Sequence, residues 1–163
     1  MKAPLVSEQN PMSGSESDSG WHHPVAAACW DDALRGAAEQ VNAALGPGMT
    51  ESIYQHAMAV ELRARGFVVE VEKIFEIKHK GQSVGFLRAD LVVDGHAVLE
   101  LKTVAKITAA HMVQLDAYMR QVDKRPCTGS VLNFRVQGGV EIKTLYAPQT
   151  DWSLLVSELS HGE

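Results

Sequence analysis

The sequence predicts a mixed α/β domain: two helices, a meander of strands, a helix crossing between sheet strands, and two closing strands. Three observations carry this. Apolar residues recur at helical spacing between Asp31 and Leu62; the period changes to alternation after Gly66; and a further helical stripe lies between two strand-like runs.

The first helix runs from Asp31, with Leu34, Ala38, Val41 and Leu45 on one face, and Gly46-Pro47-Gly48 ends it. A second starts near Thr50, carries apolar Ile53, Ala57, Met58, Val60 and Leu62, and stops at Gly66. The runs 67–71, 74–78, 84–87, 88–93 and 96–102 then read as meander strands, with turns near Lys80-Gly81 and Asp94-Gly95. Thr108 is the N-cap of a helix whose stripe is Met112, Leu115 and Met119. The runs 130–134 and 140–146 are the closing strands, parted by Gly138-Gly139, and 152–159 reads as a short amphipathic helix or docking segment. Residues 1–24, rich in Ser, Gly and acidic residues, read as a flexible tail, and 25–163 as one domain.

Composition narrows the classes. With 45% hydrophobic and 21% charged residues, the 163-residue chain has enough apolar content for a core without disulfide staples. Cys29 and Cys127 show neither zinc spacing nor a disulfide framework, and no apolar run reaches the length of a membrane span, so a cytoplasmic protein is expected. The formal charge of −5 argues against coating nucleic acid by bulk electrostatics. It leaves room for an enzyme that cuts nucleic acid, because metal-binding carboxylates contribute to that count. Local basic clusters are Lys78, Lys80 and Arg88, and Arg120, Lys124 and Arg125; each is equally readable as a solvated face.

The chemistry concentrates at Asp90 and at Glu100-Leu101-Lys102, charges set inside apolar strands that flank Asp94-Gly95. Side chains alternate along a strand, so Glu100 and Lys102 share a face. Buried charge is costly enough that such groups pair, bind a metal or shift their pKa. For Asp90 to join that face the hairpin must close through an odd number of loop residues or contain a bulge. A loop of Val93-Asp94-Gly95, with Gly95 at positive φ, pairs Val92 with His96 and Asp90 with Val98. Two further stripes lie on helices: Glu51 with Tyr54, three apart at a helix start, and His111, Gln114 and Tyr118 beside the apolar stripe after Thr108. Each alone reads first as a capping or solvent-facing feature.

Taken in order, Gly48-x-x-Glu51-x-x-Tyr54, Arg88-Ala89-Asp90, Glu100-Leu101-Lys102 and Gln114-x-x-x-Tyr118 resemble the GxxExxY proteins, a group within the PD-(D/E)XK nuclease superfamily. The resemblance spans residues 37–147. It implies a restriction-endonuclease-like core, a central mixed sheet with a β-meander flanked by helices, and an acidic site at one sheet edge. It further implies that Asp90 and Glu100 are metal-binding carboxylates, Lys102 the catalytic lysine, Glu51 the helix-borne acid that completes the metal site, and Gln114 and Tyr118 the residues that position the site or a phosphate. Ala89 stands where the superfamily's nominal proline would be. The implied activity is hydrolysis of phosphodiesters in nucleic acid, DNA ahead of RNA, with Mg2+ or Mn2+ held by Asp90, Glu100, Glu51 and the Leu101 carbonyl. The alternative is a non-catalytic nucleic-acid-binding or nuclease-complex accessory subunit with the same fold; a protein partner or homo-oligomer also stays open, and no membrane role is expected.

Overall fold

The computed structural model describes residues 27–123 and 127–146. Helices α1 (Ala27–Leu45) and α2 (Glu51–Ala64) are followed by strands β1 (Val69–His79), β2 (Gln82–Val93) and β3 (Ala97–Lys102). Helix α3 (Ala109–Met119) then leads to β4 (Thr128–Phe134) and β5 (Val140–Leu145). The five strands form one mixed sheet in the order β1-β2-β3-β4-β5, antiparallel except where α3 carries the chain from β3 to a parallel β4.

Each face of the sheet is closed by helices. Leu91, Val93, Leu99, Leu101, Leu132 and Phe134 pack with Leu34, Val41, Tyr54, Met58 and Leu62 of α1 and α2. On the other face Val92, Val98 and Val131 pack with Met112, Leu115 and Met119 of α3. The central strands therefore read as near-continuous apolar runs because both their faces are buried.

The structure differs from the sequence expectation in three places. The runs 67–71 and 74–78 are one strand, as are 84–87 and 88–93: Glu72 takes φ 53 inside β1, and pairing continues from Val71↔Leu91 to Lys73↔Ala89 across it. Helix α1 begins at Ala27, ahead of Asp31, as alanine-rich sequence permits. The hairpin closes on an odd loop, but the loop is Asp94-Gly95-His96, with Val93↔Ala97 and Leu91↔Leu99 paired. Asp94 as well as Gly95 sits at positive φ, 50 and 72. Asp94 holds that conformation through Val68: its N–H donates to the Val68 carbonyl, and its Oδ1 accepts the Val68 N–H, both at 2.8 Å. The segments 1–24 and 152–159 lie outside the described residues.

Candidate active site

The β2–β3 ladder ends at Leu91↔Leu99. One step further the same register sets Asp90 opposite Glu100, and there carboxylates take over from main-chain carbonyls. The Leu101 N–H donates to Asp90 Oδ2 at 2.7 Å, and the Asp90 N–H approaches Glu100 Oε1 at 3.4 Å. Lys102 Nζ lies 3.4 Å from Glu100 Oε2, with only 15% of the lysine side chain and 3% of the glutamate exposed. The two carboxylates and the ammonium thus share one edge of the sheet, where the strands fork.

Helix α2 supplies the third side. Its N-cap is Thr50, and Glu51 in the first turn accepts the Thr103 N–H on Oε1 at 3.1 Å. Three residues on, Tyr54 is fully buried, stacks on Phe134 at 4.2 Å between ring centroids, and donates from its hydroxyl to the Gly46 carbonyl at 2.6 Å. Gly48 turns the chain into the helix at φ 94, a conformation that a side chain would strain. Gly48 and Tyr54 therefore aim the helix start, and Glu51 is what that start presents to the strand end.

Burial sets the electrostatics. Desolvation, with the Asp90 charge beside it, pushes the Glu100 carboxyl up to about 7, only partly offset by Lys102. Asp90 is raised by burial too, against the opposing pull of the Leu101 N–H and Lys102. His111, whose Nδ1 accepts the Thr108 N–H at 3.1 Å, is lowered by desolvation first and by Lys102 second.

A family model described as the PD-(D/E)XK nuclease superfamily matches residues 29–145, most of the chain. The chain belongs to the PD-(D/E)XK nuclease superfamily. Members of this superfamily act on nucleic acids and generally use divalent metal ions. No curated protein matches the chain. Among solved structures it is similar to SSO0001, at 14% identity and a TM-score of 0.42, covering 78% of this chain and 81% of that one. It is also similar to an alkaline exonuclease (LHK-Exo) from Laribacter hongkongensis, at 11% identity and a TM-score of 0.35, covering 80% and 92%.

The donor set of this superfamily member suits a hard divalent cation. Asp90 and Glu100 bring carboxylate oxygens to one edge of the sheet, and burial is the main reason both pKa values are raised. Glu51 reaches the same edge with one oxygen engaged by Thr103. Among the described residues no group of three or more His, Cys, Asp and Glu is already arranged around a metal position. Gln114 and Tyr118 sit on α3 and bond to each other, Nε2 to hydroxyl at 3.1 Å.

Two amides escaped the sequence reading. Gln55, one turn after Glu51 and 5% exposed, donates from Nε2 to the Asp90 carbonyl at 3.0 Å and so ties the strand to the helix. Its signal was the i, i+4 spacing from Glu51. Asn133, fully buried, bonds both the N–H and the carbonyl of Val104 at 2.9 Å, fixing the chain just past Lys102. Its signal was a lone amide inside the apolar run Ser130–Phe134. Of the expected basic clusters, Lys78 pairs with Glu76, Arg88 with Glu72 and Arg120 with Asp116, the first two as exposed ion pairs, while Lys124 and Arg125 lie outside the described residues.

Proposed function

We propose that this chain is a metal-dependent nuclease of the GxxExxY group, hydrolysing phosphodiesters of DNA in preference to RNA at the fork between β2 and β3. The observation that carries the reading is the meeting of Asp90, Glu100 and Lys102 in a nearly dry notch of a nuclease-superfamily fold. Asp90 and Glu100 are the residues that would hold Mg2+ or Mn2+, with Glu51 and the Leu101 carbonyl as further oxygen donors at that edge. A divalent ion bound there supplies a water of lowered pKa and neutralises phosphate charge.

The chain's own residues do the rest. Glu100 holds the Lys102 ammonium at the notch, where it faces charge that develops on the phosphate in the transition state. Gln55 and Asn133 fix the main chain on either side, so little reorganisation is needed at the moment of reaction. Gln114, exposed on α3 and bonded to the hydroxyl of the buried Tyr118, would offer its amide to a backbone phosphate, with Tyr118 setting its position. The test is to incubate the pure protein with single- and double-stranded DNA and RNA, with magnesium, with manganese and with chelator. Cleavage that requires a metal supports the reading. Binding without cleavage under every metal condition refutes it in favour of a non-catalytic subunit.

A further inference from the structure

Immediately beyond Lys102 the chain opens into a pocket. Thr103, Val104 and Ala105 form one wall and Arg135, Val136 and Gln137 the other, around a cavity of about 490 Å³. Register explains its position: Lys102 pairs with Asn133 across parallel β3 and β4, so the two walls leave adjacent carboxyl ends side by side. Thr103 joins the pocket to the site, since its N–H is the donor to Glu51.

The pocket is built from fixed parts. Asn133 clamps Val104 from below and is itself held by Glu141, which accepts from Asn133 Nδ2 at 3.2 Å and from the Ile107 N–H at 3.3 Å. Across the cavity Arg135 Nη2 donates to the Gly138 carbonyl at 2.8 Å, laying the guanidinium along a turn that Gly138 and Gly139 make at φ 87 and 73. Its Nε is buried and has no hydrogen-bond partner among the described residues. That burial keeps Nε out of reach of the cavity, so it is the Nη end of the guanidinium, a group that matches phosphate geometry, that faces an incoming ligand. In a chain of formal charge −5, a pre-oriented cation one residue beyond the parallel strand's end is well placed to receive a polyanion.

We propose that this pocket is the subsite for the nucleotide adjoining the scissile phosphate, with Arg135 contacting its phosphodiester and Val136 flanking its sugar or base. The inference rests on the nuclease reading. The cavity lies in the size range of small-ligand sites, roughly 300–1,000 Å³, which accommodates one nucleotide unit and no duplex.

Val136 is 71% exposed, so charge can be placed on the pocket wall without disturbing the core. The experiment measures anisotropy of fluorescein-labelled single-stranded DNA, with same-sequence RNA in parallel, on full-length Glu100→Gln protein in magnesium. Val136→Asp should weaken binding about five-fold and Val136→Lys strengthen it by a similar factor, the effect of one unit charge near a phosphate in water. Arg135→Met, which keeps the stem and removes the fork, should weaken binding more than Val136→Asp. A nested set of oligonucleotides shortened from each end should lose all three effects once the nucleotide that fills the pocket is removed. Equal affinities across the charge series, with the parent protein cleaving, overturn the subsite and leave the nuclease reading standing. A parent that cleaves nothing with magnesium or manganese overturns the nuclease reading, and with it the pocket's place beside a scissile phosphate.

Discussion

Removing the Glu100 charge should stabilise the metal-free protein at neutral pH, an unusual outcome for the loss of a buried ionic group. Glu100 is 2% exposed, and burial beside Asp90 lifts its pKa from 4.5 to about 7. Because the folded pKa lies above the unfolded one, the folded state holds its proton longer. The fold is therefore most stable, as far as this group is concerned, below pH 4.5; stability is lost as pH rises toward 7 and levels off above it. A shift of about 2.5 units at 1.36 kcal/mol each amounts to about 3 kcal/mol. Glu100→Gln keeps the shape and an acceptor oxygen but cannot ionise. The assay is urea unfolding of parent and variant with chelator, followed by tryptophan fluorescence, at about pH 4 and about pH 8. The stability of Glu100→Gln relative to the parent should rise by about 3 kcal/mol between the two, since most other titrations cancel in the difference. Magnesium at the higher pH should recover the deficit in the parent and do nothing for the variant. Parallel pH profiles for the two proteins would refute the argument that charge at this notch awaits a cation.

Other substitutions test other parts. Glu100→Gln should abolish metal-dependent cleavage with the far-ultraviolet circular dichroism unchanged. Lys102→Ala should slow single-turnover cleavage by about 10²–10³-fold while oligonucleotide affinity changes only a few-fold; a loss confined to affinity would make the lysine a binding residue. Gln55→Leu leaves the Asp90 carbonyl without its donor and should cost about 1–3 kcal/mol by urea unfolding. Gly129→Ala would place its Cβ 2.8 Å from Met119 Cγ and 2.9 Å from Leu115 Cδ1. The resulting overpacking of α3 on β4 should cost about 1–3 kcal/mol.

What the sequence revealed was set by local chemistry, and what it concealed was set by distant contacts. Periodicity and caps gave α2, α3 and the order of strands, because Thr50, Gly66 and Thr108 act within a turn of where they stand. Parity alone required an odd loop or a bulge between Asp90 and Glu100, and the odd loop is what the hairpin has. The register slipped by two because the turn is centred by Asp94, and Asp94 is held at positive φ by Val68, far away in the chain. Splitting β1 had the same origin: nothing local to Glu72 reveals that pairing with β2 carries the strand across it. At the candidate site the charged residues stood out against apolar strands. Gln55 and Asn133 left only weaker signals, a helical spacing and a lone amide, because the main-chain group each one meets is set by the fold.

The fork at Asp90 has a spectroscopic consequence. Each carboxylate there is read by a main-chain amide: Asp90 by Leu101, Glu100 by the amide of Asp90, and Glu51 by Thr103. In a nitrogen-15-labelled sample these three resonances form a built-in set of indicators, one per acid. As a cation is titrated in, or as pH is swept, each should move when its own carboxylate changes charge or rotates away, resolving the order of events without altering a single side chain.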